Sequence, residues 1–152
     1  MKYNDIRPPA RAVHIGRVTV GGNAPIAIQS MTNTDPHDVA ATLSQIRALA
    51  AAGCDVVRLT VPDREAAETV RVIKESGVQI PIVADIHFDY RLALLCAEYG
   101  VDKIRINPGN IGGEDRARAV ENACRAQHIP NRIGVNSGSL EKHILEKYGA
   151  PT

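Results

Sequence analysis

Short apolar runs alternate along this chain with longer stretches whose apolar residues return every three or four positions, the pattern of a parallel sheet built from βα units. The runs predict strands at Ile26 to Gln29, Asp55 to Thr60, Ile82 to His87, Asp102 to Asn107 and Arg132 to Asn136. Four helices fit between them. The first is expected to begin at Asp35-Pro36, a capping side chain followed by a proline suited to a first turn. Its stripe runs through Val39, Leu43, Ile46 and Ala50, and Gly53 stops it. The second spans Asp63 to Ser76 around Val70 and Ile73. In the third, Asp89 caps a stripe of Leu92, Leu95, Cys96 and Tyr99 that Gly100 ends, and the fourth runs from Glu114 to Gln127 around Ala117, Val120 and Cys124. Ahead of the repeat, Val13, Ile15, Val18 and Val20 alternate about Gly16-Arg17, a β-hairpin placed to cap the bottom of a barrel.

Five βα units make either most of a doubly wound sheet or a little over half of an eight-stranded barrel. At 152 residues the chain falls short of the roughly 250 of a complete barrel, so length by itself favours the open sheet. Strand parity favours the barrel. Side chains alternate along a strand, which sets Val56, Arg58 and Thr60 against Val57 and Leu59, and Asp85 and His87 against Ala84, Ile86 and Phe88. Likewise Lys103, Arg105 and Asn107 oppose Ile104 and Ile106, and Arg132, Gly134 and Asn136 oppose Ile133 and Val135. A sheet covered by helices on both sides would be apolar on both faces. A barrel turns one face to the helix ring and the other inward, where ligand groups stand at the C-terminal mouth. The expected architecture is therefore α/β, a TIM-type (β/α)8 barrel of which the chain covers about the first five units. Residues 1–22 are assigned to an N-terminal segment with the hairpin and 23–152 to the first part of the barrel. The closing "LEKHILEKYGAPT" reads as the start of another helix, so the chain is expected to be the front part of a longer protein.

The inward face decides the ligand. Arg58, Lys103, Arg105 and Arg132 bring four cations against one carboxylate of matching parity, Asp85. Unpaired buried charge costs several kcal/mol per ion, so an anion is expected among them. The planar fork of arginine matches phosphate oxygens in pairs, and three arginines from three strands suit a diphosphate or two separate phosphates. His87 can donate to an anionic oxygen or transfer a proton, with Asp85 setting its orientation. It is the one candidate catalytic group. Asn107-Pro108-Gly109-Asn110 is either a tight turn or a loop that approaches the ligand closely. Glu114 and Asp115 open the helix behind it and would repel an anion there. Gln29, Ser30, Thr32 and Asn33 after the first strand, and Asn136, Ser137 and Ser139 after the fifth, supply neutral polar groups to loops at the same mouth.

Composition narrows the classes. The net charge is +1 with no basic run, which argues against nucleic acid as a partner. Aromatic residues make up 3% of the chain and Trp is absent, leaving no stacking platform for single strands. The start, "MKYNDIRPPARAVHIG", lacks the apolar core of a signal peptide, and no stretch approaches the ~20 apolar residues of a membrane span. A cytoplasmic protein with no membrane partner is expected. Cys54, Cys96 and Cys124 are odd in number and widely spaced, which fits neither a disulfide framework nor a metal knuckle. No metal site is assigned.

"PIAIQSMTNT", "VVRLTVP", "VADIHFDYR", "RINPGNIG" and "RIGVNSGSLE", in this order, resemble the 4-hydroxy-3-methylbut-2-enyl diphosphate synthases of non-mevalonate isoprenoid biosynthesis. The resemblance covers nearly all of the chain after Val13. It implies a TIM barrel whose mouth holds the diphosphate of 2-C-methyl-D-erythritol 2,4-cyclodiphosphate, contacted here by Arg58, Arg105 and Arg132, with His87, Asn107 and Asn136 completing the polar ring. It further implies a reductive ring opening with loss of water at a [4Fe-4S] cluster. Three cysteines and a glutamate of a separate C-terminal domain would ligate that cluster, beyond residue 152. Flavodoxin or ferredoxin would donate electrons, and the full-length protein would be a homodimer. Cys54, Cys96 and Cys124 match no part of the cluster motif, and the chain by itself is expected to have no turnover. Two other readings share the inward Arg and Asn: a pterin- or corrinoid-dependent barrel transferase similar to dihydropteroate synthase, and a non-catalytic partial barrel that binds phosphate compounds.

Overall fold

The computed structural model describes residues 10–140 and 142–149. The first nine residues of the N-terminal segment, and Glu141 and Ala150 to Thr152 of the closing stretch, lie outside them.

A two-stranded antiparallel hairpin, β1 (Val13–Ile15) and β2 (Val18–Val20), turns through Gly16 and Arg17 with Ile15 opposite Val18. Five parallel strands follow: β3 (Gln29–Met31), β4 (Val56–Thr60), β5 (Ile82–Ile86), β6 (Lys103–Ile106) and β7 (Asn131–Ile133). They stand side by side in chain order. The connections are helical: α1 (Val39–Ala51), α2 (Arg64–Glu75), α3 (Tyr90–Glu98), and between β6 and β7 a single turn α4 (Pro108–Ile111) and then α5 (Glu114–Ala126). After β7 come a short 3-10 turn at Ser137–Ser139 and α6 (Lys142–Tyr148), the further helix expected from the closing stretch.

Helix starts follow the capping chemistry. The Asp63 and Asp89 carboxylates accept from Ala66 N and Arg91 N at the heads of α2 and α3, as the sequence predicts. The first helix starts later than expected. Asp38 is its cap and accepts from Ala41 N, while Asp35-Pro36-His37 forms a preceding turn in which His37 N donates to Asp35 Oδ1. An aspartate followed by proline can start a turn or a helix, and only a carboxylate placed three residues ahead of a free N–H settles which.

The outward strand residues Val57, Leu59, Ile82, Ala84, Ile86, Ile104 and Ile106 pack beneath Ile46, Val70, Ile73, Leu92, Cys96 and Val120 of the helices, all of them buried. A smaller cluster on the other face joins Ile15 of the hairpin to Val56 and Val83. Two three-residue strands are marginal as a hairpin in water. Burial of Ile15, worth about 1.5–3 kcal/mol, therefore anchors the hairpin across the N-terminal ends of the inner face. Asp102 braces the same end: its Oδ2 accepts from Lys74 Nζ and Ile82 N, both at 2.7 Å. Gly16 turns in the left-handed region (φ +52°), and a Cβ there would lie 2.7 Å from Asp102 Oδ1.

Three expectations are corrected. The first strand lies at Gln29–Met31 rather than Ile26 to Gln29, and Ile26 and Ile28 are 66% and 61% exposed. Among the described residues this strand is an edge that pairs only with β4, and no neighbouring strand covers the apolar run ahead of it. At the other edge β7 ends at Ile133, and Ile133 and Val135 are exposed instead of facing a helix. Phe88 is 72% exposed because β5 stops at Ile86 and the chain turns toward the Asp89 cap, which ends the alternation.

Candidate anion-binding site

Register aligns the inward residues in rows. Met31 pairs with Arg58, Arg58 with Val83 and Val83 with Lys103; one pleat higher, Thr60 pairs with Asp85, Asp85 with Arg105 and Arg105 with Arg132. The upper row sits at the end of the strands from which the βα loops spring.

Asp85 is the hub. Its side chain is 2% exposed, and Arg105 Nη1 donates to Oδ1 at 3.0 Å while Arg58 Nε lies 3.4 Å from Oδ2. His87 Nε2 stands 3.8 Å from the same carboxylate, too far for a hydrogen bond. The expected orienting role of Asp85 toward His87 is thus replaced by a hold on two guanidiniums, and the half-exposed imidazole leans on Phe88 with ring centroids 6.0 Å apart. Asp85 offers two oxygens to two forks of five N–H donors each, so most guanidinium donors stay available. Arg58 Nε is buried without a hydrogen-bond partner among the described residues, and its Nη2 rests against Met31 Sδ at 3.3 Å.

Arg105 leans toward the loop after β7, with Nη2 3.4 Å from Gly134 O. A Cβ on Gly134 would come within 2.7 Å of Arg105 Nε. The missing side chain makes room for the guanidinium, and the sequence signal was a glycine between Arg132 and Asn136 on the inward face. Arg132 stands beside Arg105, its side chain exposed.

Asn107 is buried and its side chain is engaged inside the protein. Oδ1 accepts from Gly109 N at 3.3 Å, heading α4, and Nδ2 donates to Ser139 Oγ at 2.7 Å. Ser139 Oγ in turn accepts from Asn136 N and donates to Asn136 O. Ser139 thereby links the loops after β6 and β7, and a Cβ on Gly109 would collide with its backbone oxygen. The "NPGN" stretch is a helical turn locked to the next loop. Asn136 is exposed at that loop, and Asn33 is tied to Gln45 of α1 through its N–H and its side chain.

A second cluster joins two mouth loops away from the arginines. His37 Nδ1 lies 2.8 Å from Asp35 Oδ1 and Nε2 lies 2.9 Å from Asp63 Oδ2. With a carboxylate at each ring nitrogen the doubly protonated ring is favoured. Asp63 first, and then Asp35, raise the His37 pKa above its ordinary 6.5. Backbone and His37 hydrogen bonds lower both aspartates from 3.8. The raised group stabilises fully below its unfolded pKa and loses that contribution as pH rises through the folded value. The lowered groups stabilise above about 3.8 and lose it as pH falls through theirs. The melting temperature of the native chain minus that of His37→Gln is expected to peak between these limits and to shrink at alkaline pH. A difference constant from pH 5 to pH 9 would exclude the clip.

Among the described residues no three His, Cys, Asp or Glu side chains are grouped to hold a metal. Cys96 and Cys124 are buried in α3 and α5, and desolvation pushes their thiols up to about 12 and about 11. Such thiols are poor cluster ligands. The described residues do not fit an iron-sulfur centre. None of the described helices is long and apolar enough to cross a membrane.

Parallel strands in chain order, helices outside and cation-bearing strand ends inside are those of part of a TIM-type α/β barrel domain. Residues 10–152 match the GcpE TIM-barrel domain, and the chain belongs to that family. It is 63% identical over 146 residues to the 4-hydroxy-3-methylbut-2-en-1-yl diphosphate synthase (flavodoxin) of Azotobacter vinelandii. Proteins of the same name from Pseudomonas aeruginosa and Chromohalobacter salexigens are 61% and 62% identical over 147 and 146 residues. These alignments cover 96% or 97% of this chain, which spans 39% of the length of those relatives.

Proposed function

We propose that this chain is the substrate-binding barrel segment of a 4-hydroxy-3-methylbut-2-enyl diphosphate synthase. The substrate is 2-C-methyl-D-erythritol 2,4-cyclodiphosphate. Two electrons and two protons open its ring, one water leaves, and the product is (E)-4-hydroxy-3-methylbut-2-enyl diphosphate. One observation carries the reading: Asp85 is the only carboxylate paired with the inward arginines among the described residues, which leaves a cationic surplus at the loop end of the strands. A diphosphate supplies the missing negative charge.

Arg58, Arg105 and Arg132 bind the diphosphate in this reading. His87, half-exposed beside them, donates to a phosphoryl or ring oxygen, and Asn136 contacts the ligand from the next loop. Asn107 acts mainly by holding Ser139 and so fixing that loop. The electrons pass through a [4Fe-4S] cluster whose ligands are other than the residues described here, with flavodoxin or ferredoxin as donor, in a cytoplasmic homodimer of the longer protein.

Calorimetric titration of the protein in its longest natural form with the cyclodiphosphate and with a pterin tests this. Binding of the cyclodiphosphate that weakens as salt rises is expected. Binding of the pterin instead, or of neither, would overturn the reading.

A further inference from the structure

Lys103 stands apart from the cations discussed so far. It lies on the inward face of β6, two residues below Arg105 and opposite Val83, which Arg58 flanks on the other side. Its side chain is partly buried. Among the described residues no carboxylate lies within ion-pair reach of it or of Arg132, because Asp85 is taken by Arg58 and Arg105. Desolvation lowers the Lys103 pKa, and the positive charges of Arg132 and Arg58 lower it further. A half-buried ammonium facing two cations is unfavourable unless an anion joins them. Arg58 stands in the same row as Lys103, and its buried Nε, 3.4 Å from Asp85 Oδ2, makes no hydrogen bond among the described residues.

We propose that Lys103, with Arg58 of the same row, forms a deeper subsite that takes the inner phosphoryl group of a diphosphate, while Arg105, from its seat on Asp85, and Arg132 beside it take the outer one. Two residues along a strand span roughly 6.6 Å, comparable with the reach between the ends of a diphosphate. Lys103 is then a binding residue that distinguishes a diphosphate from a monophosphate, since only the longer anion reaches both rows. This rests on the reading of the barrel as a diphosphate site.

Inorganic pyrophosphate and inorganic phosphate serve as probes, titrated into the protein in its longest natural form by calorimetry. Lys103→Met, which keeps length and removes charge, is expected to weaken pyrophosphate at least tenfold and phosphate less than threefold. In dimethyl-lysine carbon NMR of the unsubstituted protein, pyrophosphate is expected to move the Lys103 titration to higher pH, a readout that does not depend on a variant folding. If pyrophosphate leaves the Lys103 titration unmoved, or if Lys103→Met weakens both probes equally, the deeper subsite is wrong. Arg105→Met separates the two claims. Loss of pyrophosphate affinity there with none in Lys103→Met refutes the subsite alone, whereas no loss in either refutes the diphosphate reading itself.

Discussion

Replacing Arg105 by alanine in the longest natural form of the protein is expected to weaken cyclodiphosphate binding by about 2–5 kcal/mol, a loss of roughly 30-fold to several thousand-fold. The size follows from the surroundings. The Arg105 side chain is 13% exposed, so its attraction to an anion is little screened by water. It is also held in one pose by Asp85 at 3.0 Å and by the gap at Gly134, so little rotamer entropy is lost on binding. Lysine at this position is expected to recover only part of the loss, because an ammonium cannot address Asp85 and a phosphoryl oxygen in the fork geometry of a guanidinium. Equal affinities for the native protein and Arg105→Ala would remove the guanidinium from the binding site.

Asp85→Ala tests the hub from the other side and is expected to cost stability more than affinity. Removing one partner of a buried ion pair leaves the other uncompensated, at about 3–5 kcal/mol, and here two guanidiniums lose their counter-ion together. A domain whose whole stability is of order 5–15 kcal/mol would be left close to its threshold. Urea unfolding gives the loss directly. Pyrophosphate should restore part of it, since a ligand at a hundred times its Kd adds about 2.7 kcal/mol. A midpoint unchanged from the native protein would mean that solvent already screens the cations and that Asp85 is not their counter-ion.

Parity along the strands made most of the architecture legible. Arg58, Asp85, Lys103, Arg105 and Arg132 all stand on the inward face, and Asp63, Asp89, Gly53 and Gly100 mark helix ends where the sequence puts them. Parity fails where pairing stops. Ile26, Ile28 and Val135 lie beyond the ends of edge strands, and Phe88 follows a strand that has already turned, so apolar character no longer implies burial. The partners of polar side chains were harder to foresee. Asn107 looks like a ligand contact in sequence, yet it spends its amide on Gly109 and on Ser139, 32 residues away. Asp85 looks like a companion of its near neighbour His87, but cross-strand register brings Arg105 closer. Only distances between strands reveal these choices.

The chain-order arrangement of the strands bears on how the polypeptide acquires its structure during synthesis. Each strand from β4 to β7 pairs with the one made just before it, so every pairing can form as soon as a single βα unit has emerged, without a long loop to close. The nascent sheet advances like a zip with one growing edge, carried at the end by β7 with its exposed Ile133 and by Val135 just past it. Among the described residues that edge and the opposite one along β3 have no further strand beside them, and such edges can accept a foreign strand. The interval in which both edges stand open is therefore when chaperones matter most to such a polypeptide, and slow translation past β7 would lengthen it.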